Sequence, residues 1–223
     1  MRRPYQVIGS YSGGRLPPDG QPLSTNWSVG GVSGEMAVSN SREAVLAAAR
    51  RSAMARGYNG LNFRDIAAEV GIKAPSIHHH FATKADLGAA VARRYWEDTV
   101  EQLAAISDET PEPLGALRRY PEIFRTSLSN DNRICLSSFM AAEYDDLPDA
   151  VKVEVQSFAD VNVDWLSKLI VEANIVEPGE SMARAKAIYA AVSGAQLFAR
   201  GRADIALFDT MIDSYRAAGL LPA

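Results

Sequence analysis

The chain has a single cysteine, Cys135, among its 223 residues, so no internal disulfide can form. No apolar stretch follows Arg2 and Arg3 as a secretory signal would require. Both features point to a reducing, cytoplasmic setting. Histidine is equally scarce: the three present are consecutive, His78, His79 and His80, which leaves none elsewhere to activate a nucleophile. Adjacent residues of a helix point about 100° apart, so these imidazoles cannot converge on one ion, and no metal is expected. There is no Gly-rich phosphate loop ending in Lys and Ser or Thr, and no nucleophile elbow. The acidic run Glu143, Asp145, Asp146 reads as a solvated turn rather than a pair of catalytic carboxylates. Neither an enzyme nor a cofactor is therefore expected. No apolar run approaches the length that crosses a bilayer, so the chain is expected to be soluble, without a membrane partner. No strand candidate or internal repeat competes with helix.

What is present is a chain with 47% hydrophobic residues, enough for one substantial core or two modest ones, and with its charge unevenly spread. The formal net charge of −4 by itself argues against non-specific attraction to nucleic acid. Its distribution argues the other way. Residues 41–95 hold nine Arg and Lys against four Asp and Glu, net +5, whereas residues 96–223 hold eleven against twenty-one, net −10. One end attracts phosphate and the other repels it.

The basic end contains residues 62–87, NFRDIAAEVGIKAPSIHHHFATKADL. Asn62 is a good N-cap, and Phe63, Ile66, Ala67 and Val70 repeat at helical spacing. Gly71 tolerates positive φ, Ile72 anchors the corner, and Pro75 falls where a first helical turn has no amide bond to lose. A second helix over 74–81 keeps Ile77 and Phe81 at i and i+4 for the core, which turns Ser76, His78 and His79 outward. Two short helices joined by a tight turn make a helix-turn-helix.

On these residues the run 42–87 resembles the DNA-binding domain of the TetR family of bacterial transcriptional regulators. The family pattern is a polar cap, D-I-A, a small residue, G-V, a recognition helix ending in an aromatic, H-F, and Ser or Thr before Lys. It is matched by Asn62, Asp65, Ile66, Ala67, Gly71, Ile72, Ser76, Ile77, His80, Phe81, Thr83, Lys84 and Leu87. Three positions depart from it: Lys73 stands where a capping Ser is common, Pro75 where Gly is common, and His78 where a Tyr usually contacts DNA. The resemblance implies an all-α fold, with a three-helix helix-turn-helix domain over 40–87 and a helical ligand-binding and dimerisation domain over 88–223. It implies a homodimeric repressor that binds a double-stranded DNA operator and is released by a small-molecule inducer. The expected DNA contacts are Asn62, Lys73, Ala74, Pro75, Ser76, His78, His79, His80 and Lys84. Among these, Lys73, His80 and Lys84 are assigned to phosphate, and Ser76, His78 and His79 to base edges. The rival reading is a helical small-molecule carrier or interaction protein whose basic end is incidental.

Residues 1–39 are rich in Gly, Ser and Pro and read as a disordered arm. Two other readings stand beside this one: Arg2, Arg3 and Arg15 reaching a minor groove, or translation starting at Met36, just before Asn40, the expected cap of the first helix. After the motif, Thr83 with Asp86 as its box partner opens a long helix. Leu87 and Val91 face the first domain along it, and Trp96 and Val100 face the second. Pro111, Pro113, the polar run 129–132, Pro148, Pro178, Gly179 and Gly201 then divide helices over 113–128, 133–144, 147–174, 180–200 and 203–218.

The last two helices offer an association surface. Ala187, Ala190, Ala191, Ser193, Gly194 and Ala195 form a small-residue face, and Ile205, Phe208, Ile212 and Tyr215 form a large one. The resemblance implies a homodimer there; packing of the two faces within one chain is the alternative. Phe124, Leu128, Phe139, Met140, Trp165, Leu169, Tyr189, Leu197 and Phe198 can line a cavity for an apolar molecule, with Glu143, Tyr189 and Gln196 orienting it, or can simply be core. Cys135, counted among the pocket residues, carries two readings. Capped by Asn132 and beside Arg133, it would favour thiolate and sense oxidants or electrophiles; ahead of Leu136 and Phe139, it would be a small buried hydrophobe.

Overall fold

A computed structural model describes residues 32–223, and the regular elements among them are all helical. The first helix, α1 (Val32–Arg56), starts ahead of the expected cap, so Asn40 lies inside it and the end of the arm assigned to residues 1–39 becomes helix. The rest of that arm, with Arg2, Arg3 and Arg15, lies outside the described residues. Val45, Leu46, Ala48, Ala49 and Ala53 of α1 are buried, one apolar stripe at helical spacing. After a Tyr58–Gly60 turn come α2 (Phe63–Val70) and α3 (Ala74–His78), both packed into the same small core through Ile66, Ala67, Ile77 and Phe81.

α4 (Lys84–Glu109) belongs to both halves of the molecule. Thr83 opens it with the expected capping box: its Oγ1 accepts the Asp86 N–H at 3.1 Å, and its own N–H donates to Asp86 Oδ2 at 3.0 Å. Leu87, Val91 and Tyr95 are buried, but Val100, expected to face the second domain, is 42% exposed. Trp96 does face that domain, donating its Nε1–H to Glu154 at 2.8 Å. Arg93 donates Nε–H to the same carboxylate at 3.0 Å. Burial alone would raise the Glu154 pKa; the Arg93 and Trp96 hydrogen bonds overcome it and hold the carboxyl below its usual range.

The single helix expected over 113–128 is two, α5 (Pro113–Arg119) and α6 (Pro121–Ser129). Pro121 has no N–H for the carbonyl of Leu117, which instead receives the Tyr120 amide at 3.3 Å, and the helix breaks there. α7 (Leu136–Ala142), α8 (Asp149–Glu172), α9 (Ser181–Arg202) and α10 (Ile205–Ala217) complete the bundle. α9 does not stop at Gly201; it ends where Ala203 turns left-handed at φ 52°. α8 packs against α4 and α9, and α10 lies against α9 and α6.

Candidate nucleic-acid interface

Asn62 Oδ1 accepts the amides of Arg64 at 2.8 Å and Asp65 at 3.4 Å, satisfying donors that have no partner inside a first turn. α2 ends at Gly71, φ 78°. There the Gly71 amide donates to Ala68 and the Ile72 amide to Ala67 at 3.0 Å, a closure that requires a left-handed residue. A Cβ at Gly71 would meet nothing, so the demand for glycine comes from the backbone alone. α3 carries Pro75 in its first turn and is shorter than the 74–81 expected. Both the His80 and Phe81 amides return to the Ile77 carbonyl at 2.9 Å, tightening the chain so that Ile77 and Phe81 enter the core together.

Lys73, Pro75, His78 and His79 are exposed, while Ala74 and Ser76 are partly covered. Pro75, His78 and His79 stand at i, i+3 and i+4 and so form one outward stripe, away from Ile77. His78 lies against Phe63, with ring centroids 4.8 Å apart, and its Nδ1 is 3.2 Å from the Ala82 carbonyl, to which it donates. His80 instead turns toward α1, with Nε2 3.3 Å from Ser41 Oγ. Lys84 is partly buried: its ammonium sits 4.6 Å from the Tyr58 ring centroid and 3.5 Å from the Asn59 carbonyl.

Most arginines of the basic segment are already paired: Arg50 with Asp98, Arg51 with Glu69, Arg93 with Glu154 and Arg94 with Glu43. Among the described residues, Arg56, Arg64, Lys73 and Lys84 have no acidic side chain within ion-pair distance. The net positive charge is thus concentrated near the helix-turn-helix. Arg64, exposed in the first turn of α2, was not among the expected contacts. Its position on the polar side of α2, away from Ile66 and Val70, was the available signal.

In the second half, the expected pocket residues separate. Phe124, Leu128, Cys135 and Met140 are buried, and Trp165 and Tyr189 are partly so. Aromatic rings fill the centre: Tyr120 lies 5.6 Å from Phe124 and 5.8 Å from Trp165, and Tyr189 lies 6.3 Å from Phe124. Gln196, fully buried, accepts the Cys135 N–H at 3.1 Å and donates to the Phe124 carbonyl at 2.6 Å. Phe139 lies under the Arg200 guanidinium.

Three expected pocket residues are elsewhere. Phe198 is 48% exposed on the outer side of α9, and Glu143 turns toward the first domain, accepting the Tyr58 N–H at 2.6 Å. Leu197, at 61%, is also outside. Phe208 and Ile212, expected at an association surface, are buried within their own chain.

The thiolate reading of Cys135 fails on geometry. Asn132, at φ 53°, does not cap α7; Cys135 itself does, its Sγ accepting the Ser138 amide at 3.2 Å, and Arg133 pairs with Asp131. Burial pushes the thiol up to about 11, only partly offset by its Ser138 hydrogen bonds.

A helix-turn-helix with a free cationic face, mounted through a long helix on a second helical domain, defines a DNA-binding transcriptional regulator. Residues 45–91 match the family model described as bacterial regulatory proteins, tetR family. The solved structure of a TetR-family transcriptional regulator from Agrobacterium tumefaciens is 28% identical, with a TM-score of 0.75 over 81% of this chain and 98% of that one. A TetR transcriptional regulator from Legionella pneumophila is 27% identical, with a TM-score of 0.73 over 79% and 96%. The reduced form of E. coli NemR shares the fold at 19% identity and a TM-score of 0.72 over 80% and 96%. No curated protein matches the sequence. Residues 45–91 thus carry a tetR-family regulatory domain, and over most of its length the chain is similar in fold to solved TetR-family transcriptional regulators. No described helix is long and apolar enough to cross a membrane.

Proposed function

We propose that the protein acts in the cytoplasm as a homodimeric repressor. Each subunit places α3 in the major groove of one half of a pseudo-palindromic operator, and a small molecule binding among the middle helices releases it. The observation that carries this reading is the outward stripe of Pro75, His78 and His79 beside Lys73, held on buried Ile77 and Phe81. Arg64, Lys73, His80 and Lys84 hold phosphate, with the capped start of α2 at Asn62 against the backbone; Ala74 and Pro75 allow close approach, and Ser76, His78 and His79 meet base edges. α3 has no Arg, so bidentate guanine recognition is not available from it.

For the dimer, support comes from the outer face of α9, where Ala187, Ala190, Gly194, Leu197 and Phe198 are exposed and Gly194 has open space above it. A second copy approaching there would bury the two large apolar side chains. Residues 40–87 serve as the DNA-binding domain and 88–223 as the ligand and dimer domain, with α4 shared. Inducer binding falls to the region around Phe124, Met140, Trp165 and Tyr189, whose rings would have to part to admit it.

Selection of duplexes from a random pool, followed by gel shift and sedimentation of the complex, tests the proposal. A two-fold symmetric sequence bound by two subunits is expected, with half-sites about one helical turn apart. Absence of any preferred duplex, or a monomer on DNA, overturns it.

A further inference from the structure

We infer that Glu143 is a positioning residue that latches the helix-turn-helix to the second domain, with α7 as the strut behind it. This rests on the DNA-binding reading above. The Tyr58–Gly60 turn, which leads into α2, begins at Gly57, whose backbone is at φ 67°, ψ −164° and which has no side chain to cap the turn. Glu143 supplies that cap from a distant part of the sequence: Oε2 accepts the Tyr58 N–H at 2.6 Å and Oε1 accepts from Asn59 Nδ2 at 3.4 Å. A Cβ at Gly57 would lie 2.1 Å from Oε2, so the carboxylate occupies the space a side chain there would take. Among the described residues, no Lys, Arg or His lies within ion-pair distance of this carboxylate; the turn is its partner.

α7 is pinned at both ends. Its N-cap, Cys135, has its N–H held by Gln196 of α9, which also holds the Phe124 carbonyl of α6. Leu136 and Met140 anchor it in the core, and Glu143 follows directly at its C-terminal cap. Seven residues of helix span about 10 Å, short enough to move as one body.

At the receiving end, Tyr58 packs into the notch left by Gly88 of α4, where a Cβ would come within 2.7 Å of its ring, and Lys84 covers it. A displacement of α6 or α9 therefore reaches the turn before Asn62 through hydrogen bonds and one rigid helix. Removal of the carboxylate leaves the fold but frees the turn.

The experiment uses the full-length protein and its Glu143→Ala, Glu143→Gln, Gly57→Ala and Gly57→Ala/Glu143→Ala variants. Hydrogen exchange at the Tyr58 amide is measured on the free protein, and affinity is measured for a duplex that the parent protein selects from a random pool. Glu143→Ala should speed Tyr58 exchange about tenfold or more, while Glu143→Gln, still an acceptor, keeps most of the protection. Affinity should fall about three- to tenfold in Glu143→Ala at an unchanged folded fraction, a loss that a purely structural role would not produce. Gly57→Ala should expel the carboxylate and also strain a backbone held at φ 67°, so the double variant should match Gly57→Ala, with Glu143→Ala adding no further loss in that background. Unchanged Tyr58 exchange in Glu143→Ala, unchanged affinity, or effects that multiply in the double variant overturn the latch. A parent protein that selects no duplex overturns the DNA-binding reading instead, and the exchange data then decide the contact on their own.

Discussion

Replacing Gln196 by Leu tests whether hydrogen bonds, and not fit alone, organise the centre of the second domain. The side chain is fully buried, and its amide serves two backbone groups, the Cys135 N–H and the Phe124 carbonyl. Leu is close to Gln in volume, so the change is mainly polar. Cys135 caps α7, and its amide has no partner within that helix, so losing the Gln196 oxygen strands a buried donor at about 1 to 3 kcal/mol. The Phe124 carbonyl lies inside α6 and keeps its helical bond; losing the second costs about 0.5 to 1.5 kcal/mol. Burying an apolar side chain in place of an amide returns about 1 to 2 kcal/mol. The net loss is then about 1.5 kcal/mol, which for a chain of this length lowers Tm by about 3 to 6 °C. Thermal unfolding followed by circular dichroism at matched protein concentration reads it, since self-association would shift both midpoints. A Gln196→Leu protein melting with or above the parent would refute the assignment of these bonds as structural.

Three further outcomes are expected. Cys135 has a folded-state pKa of about 11 against an ordinary 9.0, so the folded protein holds its proton longer than the unfolded chain. The stability this contributes is intact below pH 9 and is lost as the pH rises toward 11, about 2 to 3 kcal/mol in all, and a Cys135→Ala protein should lack that component of alkaline denaturation. Alkylation of the native thiol at neutral pH should be slow, and rapid labelling without unfolding would contradict the burial. Lys84→Ala should weaken binding to all duplexes alike and flatten the salt dependence by about one unit of slope; an unchanged salt series removes Lys84 from the phosphate contacts. Ala203→Gly, at a left-handed C-cap of φ 52°, should raise stability by roughly 1 kcal/mol in urea unfolding, and a loss would show that the Ala203 methyl has a packing role.

The sequence by itself determined the parts of this protein whose causes lie within a few residues of one another. Asn62 caps α2, Gly71 closes it, Thr83 and Asp86 box the start of α4, and Ile77 with Phe81 sets which side of α3 faces out. Each is a contact between near neighbours, so residue type and spacing suffice to specify it. Even at this range one signal was overlooked: Pro121, which splits the expected 113–128 helix.

Only the tertiary structure decided the rest. Asn132 has the better capping side chain, yet it is spent on the Arg200 carbonyl, and Cys135 caps α7 instead. Phe198 and Phe208 are the same residue type on adjacent helices, and one is exposed while the other is buried. Glu143 looked like part of a solvated acidic turn or a pocket group and instead grips Tyr58, which lies far from it in the chain. The arginines of the basic segment looked alike until Asp98, Glu69, Glu154 and Glu43 neutralised four of them. In each case the side chain's partner comes from an element distant in sequence, so its destination depends on which helix faces meet, and that is set by the packing of the whole bundle rather than by any local pattern.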